Sequence, residues 1–425
     1  MFNFFKSIYS YSEGEDCFNN ELFEDALFHF NKTIDVDPKN EDAFYFRGRC
    51  KLELKNYKGA ISDFNKAINL DLKKEDIWYL RGVCKSEIKN YEGAISDFNK
   101  AINLDLRNAN IWYLRGCCKC ELENYYGAID DFDKAVVLDP DNSNIWYLRG
   151  YCKCEIENYK GAINDFDKAD DLDPDNANIL YLRGRCKYEL KNYKGAIGEC
   201  NKAVVLDPDI SYIWYLRGFS REKLKNYKGA INDFDKAIDL NPEDKYAFSW
   251  RGDCKYELEI YKEVINNFEK AIELDPNDQL TVKYNSKVKF ELRNFEEAIK
   301  DFKKAIELDP NDINSYRGLA KINLVLKKYD IAEKLHNKIY KLSSDQSEFL
   351  LRMGRLAHYQ GDFYLAIKSY LRSIEINDKQ WRAYLNLSFA KNELKDFKEC
   401  LKDLEMSKKI NSELNENDFL LDLST

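Results

Sequence analysis

The chain has 425 residues, 44% of them hydrophobic and 33% charged, a balance that supplies a sizeable packed core and excludes a largely disordered protein. Its net charge of −9 argues against a nucleic-acid partner. No stretch of about 18 apolar residues is present, so no transmembrane helix is expected, and the N-terminus is a poor signal peptide.

These features predict a cytoplasmic protein whose twelve cysteines are mostly free thiols. The charge is unevenly distributed along the chain. Acidic side chains outnumber basic ones over residues 1–280, whereas basic side chains outnumber acidic ones over residues 281–414. The last repeats described below are therefore the basic part of the chain.

Small residues recur every 34 residues from the N-terminus onward, which is the signature of a repeat architecture. They begin with Gly14, Gly48, Gly82, Gly116, Gly150, Gly184, Gly218 and Gly252. In most units an alanine follows twelve residues later and an aromatic residue sixteen residues later, in a register that runs to residue 414 without insertion. We therefore divide the chain into an N-terminal leader 1–6, the repeats 7–40, 41–74, 75–108, 109–142, 143–176, 177–210, 211–244, 245–278, 279–312, 313–346, 347–380 and 381–414, and a C-terminal tail 415–425.

Each repeat is predicted to form two helices. In residues 109–142, apolar residues recur at helical spacing before and after Asn124, which suits a left-handed residue or a helix cap. Pro140 ends the second helix, and Asn142 can cap the next one. Small residues such as Gly116 and Ala128 would let the paired helices approach closely.

The motif residues of this repeat resemble the tetratricopeptide repeat. They are Trp112, Gly116, Tyr125, Ala128, Phe132, Ala135 and Pro140. The resemblance implies an all-α fold, an α-solenoid of twelve helix-turn-helix repeats that form a right-handed superhelix, with the first helices lining a concave groove. Repeats 10 and 12 depart from the pattern, since His336 and Leu404 stand where the aromatic residue belongs.

The cysteines are interpreted as packing residues. Six of them, Cys50, Cys84, Cys118, Cys152, Cys186 and Cys254, lie two residues after the repeated glycine, where a small apolar side chain fits between helices. Cys117, Cys120 and Cys154 lie elsewhere, and a soft-metal site among them is the alternative. Cys-x-Cys on a helix directs its two thiols apart, and the histidines lie in distant repeats, so we expect neither a metal nor another cofactor.

An arginine before the repeated glycine is paired in sequence with an acidic residue sixteen positions later, as in Arg115 and Asp131. Within one helix hairpin these residues face each other, so we predict structural ion pairs. An arginine ladder that meets an acidic ligand is the alternative.

The family resemblance implies that repeat positions 2, 5, 9 and 12 of the first helices face the groove. Position 5 holds Tyr45, Tyr79, Tyr113, Tyr147, Tyr181 and Tyr215, and position 2 holds Asn110, Asn144 and Asn178. Tyrosine offers apolar area with a polar tip, and asparagine can bond an extended backbone, so these residues suit a bound peptide. Alternatively, many of the tyrosines pack against neighbouring repeats.

Groove positions become basic in repeats 9–11, at Lys283, Lys287, Arg317, Lys321 and Arg355. Two cations four residues apart on one helix repel each other unless an anion lies nearby. These five residues are therefore predicted to form a patch for an acidic peptide, a phosphate or a C-terminal carboxylate.

The sequence contains no catalytic constellation, so we do not expect an enzyme. It predicts a scaffold that binds a peptide or helical segment of a protein partner in the groove. The alternative is a chaperone cofactor or targeting receptor that recognises acidic or C-terminal peptides through the basic groove of repeats 9–11. RNA binding is disfavoured by the acidic first two thirds of the chain. The tail 415–425 would cap the last helix or occupy a groove, and the oligomeric state is left open.

Overall fold

The computed structural model describes residues 2–71, 74, 76–343 and 345–411, with side chains from Tyr9 onward. All regular secondary structure in these residues is α-helical, and the predicted all-α class and twelve helix pairs are confirmed. Helix α1 begins at Phe2, within the segment 1–6 predicted to precede the repeats, and the tail 415–425 lies outside the described residues. None of the described helices is both long enough and apolar enough to cross a bilayer.

The helices alternate between the first and second helix of each repeat. They are α1 (Phe2–Asn19), α2 (Phe23–Val36), α3 (Glu41–Glu53), α4 (Tyr57–Asn69), α5 (Ile77–Glu87), α6 (Tyr91–Leu104), α7 (Ala109–Glu121), α8 (Tyr125–Leu138), α9 (Ser143–Glu155), α10 (Tyr159–Leu172), α11 (Ala177–Glu189), α12 (Tyr193–Leu206), α13 (Ser211–Lys223), α14 (Tyr227–Leu240), α15 (Lys245–Glu257), α16 (Tyr261–Leu274), α17 (Gln279–Glu291), α18 (Phe295–Leu308), α19 (Ile313–Val325), α20 (Tyr329–Ser343), α21 (Gln346–Tyr359), α22 (Phe363–Ile376), α23 (Trp381–Glu393) and α24 (Phe397–Ile410).

The chain divides into two compact units, residues 1–224 with α1–α13 and residues 225–425 with α14–α24. Within each unit every helix packs against the next one along the chain, and several successive first helices, such as α7 and α9 or α17 and α19, also touch. Contacts between sequence neighbours are what a stack of repeats requires, because each hairpin buries its apolar face only against the hairpins beside it.

The turn inside each hairpin combines a left-handed residue with an asparagine cap. In repeat 4, Glu123 has a φ of 57°. Asn124 then accepts a hydrogen bond from the backbone N–H of Gly127 at 3.1 Å. Of the two roles predicted for Asn124, it therefore takes the cap, and the left-handed position lies one residue earlier. The predicted cap at Asn142 is also confirmed, since its side chain accepts from Asn144 N at 3.2 Å.

The core of each regular hairpin is an aromatic ring seated on the repeated glycine. Phe132 is fully buried. A Cβ on Gly116 would lie 2.7 Å from its Cε1 atom, too close for the two to coexist without a shift. Glycine is therefore required opposite phenylalanine, and Gly184 of repeat 6 has more space because it faces Cys200 instead.

Repeats 9 and 10, in the basic part of the chain, have other residues at the glycine or aromatic position. In repeat 9 the glycine position holds Ser286, and the ring of Phe302 lies against Gly318 of the next repeat, where an added Cβ would be 2.3 Å from Cζ. In repeat 10 the glycine position holds Ala320, and the smaller imidazole of His336 takes the place of the phenyl ring. Phe302, Gly318 and His336, which these exchanges involve, line the cavities of the basic region.

The predicted ion pairs are confirmed in the described hairpins of unit 1. Arg115 donates from Nε and Nη2 to the two carboxylate oxygens of Asp131 at 2.8 and 2.5 Å. Lys119 lies 2.8 Å from the same carboxylate, and Arg115 Nη1 donates to Asn99 of the preceding repeat at 2.5 Å. The arginine therefore fastens its own hairpin and links it to the neighbouring one.

Candidate functional site

The position-5 tyrosines are partly buried, with their rings against the core of their own hairpin. The centroids of Tyr79, Tyr113 and Tyr147 lie 6.4, 6.2 and 6.3 Å from those of Phe98, Phe132 and Phe166. Burial, with a smaller effect of Cys117, raises the pKa of Tyr113 to about 12. These tyrosines therefore combine packing with a partly accessible edge.

The remaining position-5 tyrosines differ from these three in burial or in the aromatic ring that they contact. Tyr45 is only 2% exposed, and its hydroxyl donates to Asp76 of the next repeat at 2.5 Å, so it is a packing residue. Tyr181 lies 4.4 Å from Tyr212 between ring centroids, and Tyr215 stacks on Phe219 at 5.8 Å.

The predicted asparagines Asn110, Asn144 and Asn178 are all exposed. Asn178 accepts a hydrogen bond from the hydroxyl of Tyr212 at 2.5 Å, which links position 2 of two successive repeats. The asparagine amides of unit 1 are therefore exposed, whereas most of the position-5 tyrosine rings are partly buried.

The clustered cysteines pack between successive first helices. The Sγ atoms of Cys120 and Cys152 lie 3.5 Å apart, and those of Cys154 and Cys186 lie 3.3 Å apart. All twelve cysteines are free thiols, and those at the repeated position are buried, as predicted. Over the described part of the chain, no three His, Cys, Asp or Glu side chains are grouped to hold a metal ion.

The five predicted basic residues line two adjoining cavities in unit 2. The larger, of about 500 Å³, lies along α17 and α19. Its polar lining consists of four cationic side chains, one carboxylate and one amide: Lys283, Lys287, Arg317, Lys321, Glu291 and Asn314. Its apolar lining consists of Leu280, Tyr284, Phe290 and Phe302. Gly318 lies in its floor, where the Phe302 ring approaches. Lys283 is paired with Asp312 at 2.9 Å, so part of its charge is already neutralised.

The smaller cavity, of about 250 Å³, lies between α19, α20, α21 and α23 and is called the His336 cavity. Its lining consists of Arg317, Lys321, Leu324, His336, Glu348, Leu351, Arg352, Arg355 and Arg382. Arg317 and Lys321 also line the larger cavity, so the two form one basic surface.

One ion pair in the His336 cavity joins Arg352 to Glu348. Arg352 donates from Nε and Nη2 to Glu348 Oε1 at 3.0 and 2.6 Å. Burial lowers the pKa of His336 to about 4, and the nearby charges of Arg352 and Arg355 act in the same direction. The imidazole is therefore neutral at physiological pH in the folded chain.

The depressed pKa of His336 predicts that acid weakens unit 2. Its value of about 4 in the folded chain lies below the ordinary 6.5, so the unfolded chain binds the proton first as the pH falls. Stability contributed by neutral His336 is present above about pH 6.5 and is lost towards pH 4. We expect the free energy of unfolding to fall by about 2 kcal/mol between pH 7 and pH 5 from this group.

Urea unfolding of the wild type and of His336→Gln at both pH values measures this contribution. Glutamine cannot titrate, so the variant should lose about 2 kcal/mol less than the wild type over that interval. An identical loss in both proteins would contradict the assignment.

Two arginines that complete the His336 cavity, Arg352 and Arg382, are not among the five predicted basic residues. The sequence analysis singles out His336 only as a departure from the aromatic position. Their convergence depends on four helices. The signal that points to it is His336 itself, a polar residue at a core position in the basic part of the chain.

Family models for the tetratricopeptide repeat match residues 109–142, 211–244, 287–325 and 347–380. A model for subunit 3 of the anaphase-promoting complex, or cyclosome, matches residues 19–101 and 131–203. No curated protein sequence is similar enough to this chain to count as a match.

Solved structures show likeness at low identity. The C-terminal part of a tetratricopeptide repeat-containing protein from Cytophaga hutchinsonii is 22% identical, with 56% of this chain and 98% of that one covered and a TM-score of 0.50. YrrB, described as a protein of this repeat class with an unusual peptide-binding site, is 23% identical over 43% of this chain and 95% of its own, with a TM-score of 0.39. A chain of the anaphase-promoting complex hetero-tetramer Cut9–Hcn1 is 14% identical, with 97% of this chain and 95% of that one covered and a TM-score of 0.40.

The matched repeats coincide with helix pairs in both units. Proteins built from these repeats bind protein partners and are generally not enzymes. From the 34-residue register, the twelve helix pairs and the matching repeat models, the chain belongs to the tetratricopeptide repeat proteins.

Proposed function

We propose that the chain is a non-enzymatic cytoplasmic scaffold whose unit 2 binds an acidic segment of a partner protein. The observation that carries this proposal is the convergence of Lys283, Lys287, Arg317, Lys321 and Arg355 on adjoining cavities along α17, α19 and α21. Such a surface attracts an anionic segment and disfavours a basic one, because like charges brought together on binding are costly.

The larger cavity favours a peptide over a simple ion. It places apolar Leu280 and Tyr284, which are 60% and 42% exposed, beside Lys287 and Arg317. An acidic segment with an apolar side chain could bury that side chain between the helices while its carboxylates reach the cations. The exposed amides of Asn110 and Asn144 offer unit 1 a separate, uncharged peptide surface.

The basic surface also supports a narrower alternative. Guanidinium groups bind carboxylates in a bidentate manner, so a partner's C-terminal carboxylate fits the same cations. This would make the chain a chaperone cofactor or targeting receptor. Peptides with free and with amidated C-termini separate the two functions, because only the alternative requires the terminal carboxylate.

Charge reversal on the larger cavity should weaken acidic peptides selectively. We expect Lys287→Glu to lower the affinity of the full chain for fluorescein-labelled hexaglutamate by about tenfold at low salt, measured by fluorescence anisotropy. The affinity of the wild type should fall as salt rises, because exposed charges are screened.

Lys334→Glu is the matched control, since it makes the same charge change at an exposed residue of α20 that lines neither cavity. It should leave the affinity nearly unchanged. Equal losses in the two variants would mean that net charge, not this surface, drives binding, and the proposed function would be wrong.

A further inference from the structure

The His336 cavity contains buried polar atoms that the described residues leave unpartnered. His336 is 5% exposed, and its Nδ1 atom has no hydrogen-bond partner among the residues described. Arg317 Nε is likewise buried without a partner in that part of the chain. Buried polar atoms in native proteins are nearly always hydrogen-bonded to protein, water or a ligand, so two such atoms lining one cavity mark a place where a further group binds.

The charge around the cavity indicates which ligand fits. Five cationic side chains, Arg317, Lys321, Arg352, Arg355 and Arg382, share the lining with a single carboxylate, Glu348, an excess of four positive charges at neutral pH. Glu348 is engaged by Arg352 and also accepts from Gln380 Nε2 at 3.2 Å. Burial lowers the pKa of Arg352 even though Glu348 opposes the shift, and the charges of Arg317 and Arg355 add a smaller effect in the same direction as burial.

We propose that the His336 cavity binds the phosphoryl group of a phosphorylated side chain on the acidic partner segment. A phosphomonoester carries nearly two negative charges and three acceptor oxygens at neutral pH, whereas a carboxylate carries one charge and two oxygens. The phosphoryl group therefore matches several guanidinium groups at once and accepts from Arg317 Nε. The neutral imidazole carries one proton, and with that proton on Nδ1 the ring donates to a second phosphoryl oxygen.

This inference rests on the proposed function, because the shared residues Arg317 and Lys321 join the two cavities. A segment lying along α17 and α19 would pass the mouth of the His336 cavity. A phosphorylated side chain could then enter it while flanking carboxylates stay on the larger cavity. The chain would thereby bind its partner more tightly after phosphorylation.

Ring NMR signals provide the first test, since the chain has only three histidines and His336→Gln identifies the relevant signal. The probes are phenyl phosphate and benzoate, added to the full chain at neutral pH. We expect phenyl phosphate to shift the His336 signal at concentrations at least tenfold lower than benzoate does, and to leave His29 of unit 1 unchanged. Equal response to both probes, or no response of His336 to phenyl phosphate in the millimolar range, would overturn the inference.

Two matched variants separate this inference from the proposed function. Arg382 lines only the His336 cavity, and Lys287 lines only the larger one. Arg382→Gln should weaken phenyl phosphate about tenfold and leave hexaglutamate nearly unchanged, because a charge-assisted hydrogen bond is lost at one cavity alone. Lys287→Gln should weaken the binding of hexaglutamate and leave that of phenyl phosphate nearly unchanged. If neither variant loses affinity for hexaglutamate, the proposed function is wrong. If Arg382→Gln leaves the affinity for phenyl phosphate unchanged, the phosphoryl site is wrong.

Binding of a phosphorylated peptide, measured in the same way, identifies the source of the phosphoryl group. A phosphoserine peptide with flanking aspartates should bind more tightly than both its unphosphorylated form and phenyl phosphate, because it reaches both cavities. If the phosphopeptide binds no better than phenyl phosphate, a free phosphomonoester is the ligand and the partner-borne origin is wrong.

Discussion

Replacing Gly116 with alanine should destabilise the chain by about 2 kcal/mol, whereas the same change at Gly184 should be neutral or slightly stabilising. Both glycines occupy the same position of a first helix. The added Cβ would lie 2.7 Å from Cε1 of buried Phe132 in repeat 4, but 3.3 Å from its nearest neighbour, Glu199 Cβ, in repeat 6. Overpacking therefore outweighs the helix propensity of alanine only in repeat 4.

Urea unfolding followed by circular dichroism measures both variants, and amide hydrogen exchange localises the change to one repeat. A third protein tests the cause. On a Phe132→Cys background, which copies the Gly184–Cys200 pair, Gly116→Ala should cost less than about 0.5 kcal/mol, because the ring is gone. A loss of about 2 kcal/mol that persists on this background would mean that Phe132 is not responsible.

The regular hairpins could be predicted from sequence because their contacts are local and repeat. Arg115 and Asp131 are sixteen residues apart, a separation that one hairpin fixes, so the ion pair follows from the register. The asparagine cap before Gly127 follows in the same way. The pairing of Arg115 with Asn99 was not predicted, because it depends on how far each repeat rotates against the previous one.

The candidate site was harder to predict because it arises where the pattern changes. The five cations were found because they occupy repeat positions that the family resemblance places in the groove. The His336 cavity depends instead on a histidine at the aromatic position and on Arg352 and Arg382 reaching the same space from two other helices. The burial of Tyr45 likewise depends on Asp76 of the next repeat. Single exchanges of this kind leave the period intact, so periodicity alone does not reveal them.

Removing the carboxylate of Asp131 should cost about 4 kcal/mol, the largest loss expected from one substitution in unit 1. Asp131 is 2% exposed and accepts from Arg115 while Lys119 lies 2.8 Å away. In Asp131→Ala both cations, whose side chains are 14% and 18% exposed, lose their counter-charge in a poorly solvated place. The cost arises mainly from leaving these charges unpaired, since the desolvation of a buried ion pair offsets much of its attraction.

Asp130→Ala is the control, because it makes the same chemical change at the preceding, exposed residue of α8 and should alter the free energy of unfolding by less than about 0.5 kcal/mol. A second arm replaces the whole cluster by Arg115→Met, Lys119→Met and Asp131→Leu. This triple variant should recover most of the stability lost in Asp131→Ala, because no buried charge is left without a partner. If the triple variant is as unstable as Asp131→Ala, the ion pair itself holds the hairpin together, and the arginine ladder contributes directly to the stability of the repeat stack.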